Sequence, residues 1–276
     1  MSKLGDKFNL IDKVAVITGG AGLLGIQHAQ AVAEQGCTPL LWDINIKNLD
    51  MAVKKISQKY GCRCEAFNVD ITQLSDVENA LADILVRYKK VDILINNAAN
   101  DPKPSEGASL AWARLENITT EMWHRDLNVS VLGAFNCSKT IGVHMADTGG
   151  GVILNIASDL GIIAPDQRIY SQNNLPRNEQ PVKPITYSVV KHAIIGLTKY
   201  LATYWAEDNI RVNSLSPGGI YADQPAEFVD KLTSLIPMGR MADADEYQAA
   251  VLFLVSQASS YMTGSNMVVD GGRTCW

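Results

Sequence analysis

The sequence predicts an α/β fold: one domain on a doubly wound, seven-stranded parallel sheet with helices on both faces. Three observations carry that expectation. Short β-branched apolar runs alternate with helical periodicity along most of the 276 residues. A glycine-rich turn joins the first run to the first helix, and no repeat, low-complexity tract or Pro/Gly/Ser-rich linker interrupts the rhythm. Such alternation demands right-handed crossovers between parallel strands, whose burial on both faces gives unbroken apolar runs.

The elements follow in order. VAVIT, Val14 to Thr18, is the first apolar run, and it turns through glycines into an apolar-striped helix over Leu23 to Gln35. The chain returns as PLLWD, Pro39 to Asp43, followed by a helix over Ile46 to Lys59 and a strand over Arg63 to Val69. A helix over Ser75 to Tyr88 and a strand over Val91 to Asn96 complete the first half. The second half repeats the pattern: helix Thr120 to Met145, strand Val152 to Ala157, helix Thr186 to Glu207 and strand Arg211 to Ser216. A helix over Asp243 to Ser256 and a strand over Asn266 to Asp270 close it.

Two stretches break the rhythm, near 100–117 and 162–185. The second carries Pro165, Pro176, Pro181 and Pro184 among polar residues and is too long for an ordinary connection in a compact domain. Both follow the carboxyl ends of strands, where open α/β sheets bind ligands, so both are expected substrate loops.

Composition narrows the function. With 47% hydrophobic and 19% charged residues the chain can bury a sizeable core. A net charge of -5 and the lack of any Lys/Arg-rich run argue against nucleic acid. Met1 to Leu10 does not read as a secretory signal, and no apolar run is long enough for a membrane span. Five scattered cysteines suit a reducing cytoplasm. Cys62 and Cys64 have no second Cys/His pair at metal-site spacing, so no metal is expected. The formal sequons at Asn117 and Asn128 carry no weight without secretion. The expected partner is a small molecule.

Directly after the first strand, TGGAGLLG (Thr18 to Gly25) opens a helix. Gly19 allows a tight turn, Gly22 lets the backbone approach a pyrophosphate, and Gly25 permits close helix–sheet packing. The helix terminus supplies free N–H groups and positive dipole. Asp43 ends the next strand about 20 residues on, where a carboxylate meets the adenosine ribose of a Rossmann-type site. It would repel a 2′-phosphate, and neither the glycine loop nor the two residues after Asp43 offer a cation, so NAD is expected over NADP. Asp70, after the third strand, is placed to meet adenine or to cap the following helix.

Tyr187 and Lys191 share one helical face. An unperturbed tyrosine, with a pKa of about 10, is a poor base at neutral pH. Lowering that by about three units needs about 4 kcal/mol of preferential phenolate stabilisation. A neighbouring ammonium and a cationic nicotinamide supply it in part. Taken alone such a pair is more often decoration than chemistry.

The motifs together resemble the short-chain dehydrogenase/reductase family over nearly the whole chain. They are the glycine loop, NNAA at Asn96 to Ala99, LNV around Asn128, NIAS ending at Ser158, YSVVK at Tyr187 to Lys191, SPGG at Ser216 to Gly219, and TGSNMVVDGG. The resemblance implies that Tyr187 is the general base for alcohol oxidation, that Ser158 hydrogen-bonds the substrate oxygen, and that Lys191 tunes the tyrosine and holds the nicotinamide ribose. Asn128 would shape the helix that holds a proton-relay water. Cofactor contacts would come from Gly19, Gly22, Leu23, Leu24, Gly25, Asp43, Asp70 and Ile71, from the NNAA stretch (Asn96, Asn97, Ala98), and from Tyr187 and Lys191. Pro217, Gly218 and Ile220 would pass beside the nicotinamide.

Departures are also visible. The middle glycine, Gly22, sits where the extended, sugar-nucleotide-modifying branch has it, with Leu23 in the place the short form fills with glycine. The seventh strand nevertheless ends close to the last residue, so the short form is expected. NNAA replaces the commoner Asn-Asn-Ala-Gly. Ser158 and Tyr187 lie 29 positions apart, more than twice the usual spacing, so an insertion flanks the active site. The shifted glycine, the insertion and the DGGRTCW ending are similar to dehydrogenases of flagellin modification and nonulosonic-acid pathways. A sugar phosphate or nucleotide sugar is therefore the expected substrate, with Arg168, Arg177 and Lys183 as the insertion's cations; Arg168 and Arg177 are the expected phosphate contacts.

Two alternatives remain: a reductase of acyl thioesters or small ketones, which a polar insertion disfavours, and a non-catalytic dinucleotide-binding protein. The helices VSVLGAFNCSKTIGVHM and HAIIGLTKYLATYWA are more apolar than one buried stripe needs, and the family resemblance implies a homodimer or homotetramer through them.

Overall fold

A computed structural model of the chain describes residues 3–100 and 109–276. Residues 101–108 of the first expected substrate loop lie outside the described residues. The sheet has seven parallel strands: β1 Val14–Thr18, β2 Thr38–Asp43, β3 Glu65–Asn68, β4 Ile93–Asn96, β5 Gly151–Ile156, β6 Ile210–Pro217 and β7 Asn266–Val269. Their order is β3-β2-β1-β4-β5-β6-β7. The winding reverses between β1 and β4, so the loops leaving these strands diverge to opposite faces and open a crevice at the carboxyl edge.

Period-two alternation puts Val14 and Val16 on one face and Ala15 and Ile17 on the other. The first face is covered by α3 Leu74–Tyr88, α5 Gly133–Asp147 and α6 Ile185–Tyr204, through Val77, Ile84, Ile141 and Trp205. The second is covered by α1 Leu23–Glu34, α2 Ile46–Tyr60 and α8 Gln248–Val255, through Val32, Ile56, Val251 and Leu254. Strands buried on both sides account for the unbroken apolar runs of the sequence.

The structure departs from the sequence expectation in two places. The long helix expected over Thr120 to Met145 is α4 Thr120–Leu127, a π-helical turn Asn128–Leu132, and α5. Apolar periodicity runs through that turn, so the pattern does not reveal the break. A short α7, Ala226–Thr233, lies where no helix was expected. It is only eight residues long and none of them is fully buried, so it gives too short a pattern to stand out from the surrounding loop. Phe135 and Val143 on α5, and Tyr200 and Tyr204 on α6, remain exposed. Among the described residues no helix is long and apolar enough to cross a membrane.

His28 on α1 is 1% exposed, and neither ring nitrogen makes a hydrogen bond. Burial pushes its pKa down to about 4, with nearby Asn97 a weaker opposing influence. The unfolded chain therefore takes up this proton first, and the stability tied to neutral His28 is lost as pH falls from 6.5 toward 4. The full effect is about 3 kcal/mol. Urea unfolding across this window should show a steeper acid loss in the native protein than in His28→Leu; parallel curves would remove His28 as the cause.

Candidate active site

Two loops build the nucleotide end of the crevice. Gly19 has φ +62°, and a Cβ there would lie 2.9 Å from the Cα of Ala98. Gly25 has no room for a side chain against the Gly19 carbonyl, which brings α1 close to β1. Gly22 is the exposed N-cap of α1, and a Cβ there would meet only the Gly19 carbonyl, at 3.3 Å. The open space over this helix end suits a bound phosphate. Exposed Leu23 and half-buried Leu24 form the first turn. Asp43 Oδ2 accepts from the Ala21 N–H (3.1 Å) and Oδ1 from the Asn45 N–H (3.0 Å), so the acid also orders the glycine loop.

The NNAA stretch braces the same loop from β4. The Asn97 and Ala98 N–H groups donate to Thr18 Oγ1, and Asn97 Nδ2 donates to the Thr18 and Gly19 carbonyls. Asn96 departs from its expected cofactor-lining role. It is 5% exposed, and its Nδ2 donates to Ser138 Oγ (2.9 Å) and Asn155 Oδ1 (2.8 Å) inside the domain. Period-two geometry sends it inward when its neighbour Asn97 faces the loop. Asp70 does not cap α3, whose N-cap is Gln73; it turns back onto Thr72 through the backbone N–H (2.9 Å) and Oγ1 (2.7 Å). Ile71 is buried against Gly133, with its carbonyl accepting from Asn136. Pro217 ends β6, and Gly218 passes so close to Asp270 that a Cβ would lie 2.8 Å from its Cα. Ile220 bridges to Ala242.

Ser158 follows the carboxyl end of β5, Lys191 is docked on the carbonyl of the last residue of that strand, and Tyr187 lies one turn earlier on α6. Lys191 is 5% exposed, and its Nζ donates to the Ile156 carbonyl at 2.9 Å, fixing α6 against this strand. Gly161 makes the approach possible, since a Cβ there would sit 2.8 Å from the Lys191 carbonyl oxygen. Lys191 Nζ is 5.8 Å from the centroid of the Tyr187 ring. Ser158 Oγ donates to Asp159 Oδ1 at 2.7 Å and accepts from the Leu160 N–H. Burial raises the pKa of Asp159, while Ser158 and Leu160 oppose the shift by hydrogen bonding.

Asn128 begins the π-helical turn, where its carbonyl accepts from the Gly133 N–H, but its side chain is exposed. Two positions on, Ser130 is 3% exposed and its hydroxyl has no partner. The buried polar group on this turn is thus Ser130 rather than Asn128. The kink rotates the faces, which uniform helical spacing does not reveal. Asp126, 4% exposed, binds three elements: its Oδ1 accepts from Asn100 after β4 (2.6 Å) and its Oδ2 from Thr186, immediately before Tyr187.

The insertion folds over the crevice. Arg168 pairs with Asp166 through Nε and Nη2, with its side chain 87% exposed. The pairing holds Asp166 down at about 2. Arg177 is exposed, and its carbonyl accepts from Arg114 (2.9 Å). Lys183 does reach the site, with Nζ 3.9 Å from the Tyr187 ring centroid. A cavity of about 360 Å³ beside it is lined by Arg114, Val182, Lys183, Ile185 and Ser188 among others. α7, absent from the sequence reading, supports the insertion through Lys231 Nζ to the Ser171 carbonyl and the Tyr170–Phe228 ring contact.

A parallel sheet with a glycine-lined helix end and a serine, tyrosine and lysine at its carboxyl edge defines a dinucleotide-dependent oxidoreductase. The chain belongs to the short chain dehydrogenase family, whose model matches residues 13–172; a second model, described as enoyl-(acyl carrier protein) reductase, matches residues 177–274. It is 36% identical over 275 residues to an NAD-dependent glycerol dehydrogenase of Listeria innocua, covering 97% of this chain and 96% of the relative. It is 32% identical to an NADP-dependent mannitol dehydrogenase of Alternaria alternata, covering 98% of this chain and 96% of the relative. A crystal structure of a short-chain type dehydrogenase/reductase from Mycobacterium marinum matches all of both chains with a TM-score of 0.84 and 31% identity. The chain is an oxidoreductase of CH–OH and ketone groups.

Removing the Asp126 carboxylate strands the Thr186 hydroxyl and the Asn100 amide in a buried space. Asp126→Ala should cost about 2–4 kcal/mol of stability, and Asp126→Asn less. Chemical denaturation measures both; an Ala variant as stable as the native chain would contradict this network.

Proposed function

We propose that the chain is an NAD-dependent dehydrogenase of a polyhydroxylated small molecule, moving a hydride between nicotinamide and a secondary hydroxyl/ketone pair. The carrying observation is the docking of Lys191 on the last carbonyl of β5, with Ser158 two residues beyond that carbonyl and Tyr187 one turn earlier on α6, beside an insertion-lined cavity. The curated relatives named above act on polyols, which supports a polyol or sugar over the acyl-thioester or small-ketone alternative. The finer expectation of a sugar phosphate or nucleotide sugar in flagellin or surface-glycan modification has less support. Its proposed arginine clamp meets Arg168 already bound to Asp166.

In oxidation, Tyr187 takes the proton of the substrate hydroxyl while Ser158 holds the substrate oxygen. Rotation about the serine Cβ–Oγ bond swings its O–H from Asp159 toward that oxygen. Lys191 keeps a buried positive charge behind the tyrosine and favours its ionised form. A bound nicotinamide would supply the hydride acceptor. Gly19, Gly22 and the α1 terminus would hold its diphosphate, Asp43 its adenosine ribose, and the stretch Pro217 to Ile220 its nicotinamide side. Asn128 and the π-helical turn position the base of the proton path. Exposed apolar residues of α5 and α6 support assembly into a homodimer or homotetramer in the cytoplasm.

NAD should bind at least about tenfold more tightly than NADP, about 1.4 kcal/mol, because the Asp43 carboxylate meets a 2′-phosphate without a compensating cation. Asp43→Ala should narrow the gap. Fluorescence titration of both cofactors checks this, and a native preference for NADP would remove Asp43 from that role.

Tyr187→Phe keeps the ring and loses the transferable proton. Turnover of a polyol, read as NADH formation, should fall by about 10²–10⁴ with NAD affinity nearly unchanged. A Phe variant with native turnover sinks the assignment, and native protein inactive on every polyol, sugar and simple alcohol tried sinks the proposed activity itself.

A further inference from the structure

We propose that Lys183, delivered by the insertion, is a second cationic positioning residue for Tyr187 that favours the ionised phenol taking the substrate proton. The inference rests on the reading of Tyr187 as proton acceptor. Among the described residues two cations lie near this ring. Lys191, on the same helix, has its Nζ 5.8 Å from the centroid and donates to the Ile156 carbonyl; Lys183 has its Nζ at 3.9 Å.

A cation over a neutral phenol meets only the ring quadrupole, whereas over a phenolate it meets a net negative charge. The difference favours ionisation. Neighbouring charged groups set the background against which it acts. Among the described residues, the elements packed around the start of α6 bring Asp126 with Arg125 from α4 (3.8 Å apart) and Asp159 from the turn after β5. Arg114 and Glu116, themselves paired, stand at the cavity. The carboxylates Asp126 and Asp159 oppose a new negative charge on Tyr187, and Lys183 offsets them from the insertion side.

Lys183 is also held in place. Gln167 Oε1 accepts from the Lys183 N–H at 2.9 Å, and Gln167 Nε2 donates to the Lys183 carbonyl at 3.4 Å, so one side-chain amide grips both polar groups of its main chain. Pro184 follows as the N-cap of α6 and accepts from the Tyr187 N–H at 3.3 Å. The rigid link between insertion and helix presents the lysine to the ring before substrate arrives.

The test uses Lys183→Met, which keeps the stem and removes charge, and Lys183→Arg, which restores it. Two titrations are read: the pH profile of kcat/KM for polyol oxidation, and NMR of ring-labelled tyrosine without substrate, with the Tyr187 signal assigned from Tyr187→Phe. In the Met variant the apparent pKa of the base should rise by about one unit in both, with NAD affinity unchanged. Arginine should recover most of the shift, and Gln167→Ala should move it the same way by less. An unmoved Tyr187 titration in Lys183→Met overturns the proposal. So does a raised KM for the polyol with an unmoved profile, which would make Lys183 a substrate contact. Because the NMR arm needs no turnover, it decides the role of Lys183 even if no polyol is oxidised.

Discussion

The hydrogen bond from Lys191 Nζ to the Ile156 carbonyl joins the chemical half of the molecule to its scaffold. It spans the end of a central strand and a helix whose amino-terminal turns carry Tyr187, and it is buried, so water cannot replace it freely. One ammonium thereby serves two needs. It satisfies a carbonyl at the sheet edge, and it stands 5.8 Å from the centroid of the Tyr187 ring. Gly161 is required at the same junction because any Cβ would press on the backbone of Lys191. The spacing of tyrosine and lysine along a helix acquires meaning only through this docking.

The nucleotide half has a matching construction. Thr18 ends β1 and receives the N–H groups of Asn97 and Ala98 beyond β4, while Asp43 beyond β2 receives the N–H of Ala21. Three strand ends therefore shape the glycine turn before any ligand binds, which lowers the ordering cost of association. Asp43 contributes to this frame as well as to the proposed ribose contact, so its replacement tests both.

Most of the fold was legible because its determinants are local. Apolar runs marked most strands, though β3 and β6 carry polar residues; β1 has the expected limits, and the others differ by a few residues at most. The glycine turn and the Tyr187–Lys191 pair were legible for the same reason, each lying within one turn or one helix. Ser158 needed the wider pattern of motifs, since its place beside the helix follows from tertiary packing. What sequence spacing misjudged depends on an irregularity or on an alternating face. The π-helical turn puts Ser130 inside and leaves Asn128 exposed, and strand alternation aims Asn96 at Ser138 and Asn155. α7 escaped notice because eight residues between loop segments are too short a window for helical periodicity to stand out.

In the role proposed for Lys183, the insertion would act on chemistry without supplying a catalytic group. Its three cations looked alike in sequence, yet their surroundings separate them. Arg168 has Asp166 two residues away and is spent on it in solvent, where such a pair contributes little. Lys183 is gripped by Gln167 from across the loop and followed by the proline that starts α6, so its position is coupled to that of Tyr187. A cation's influence depends on distance and on the dielectric around it, and both favour Lys183 beside the half-buried ring over Arg168 in water. The segment expected to choose the substrate is thus also placed to tune the base, and altering its length or register would move reactivity and selectivity together.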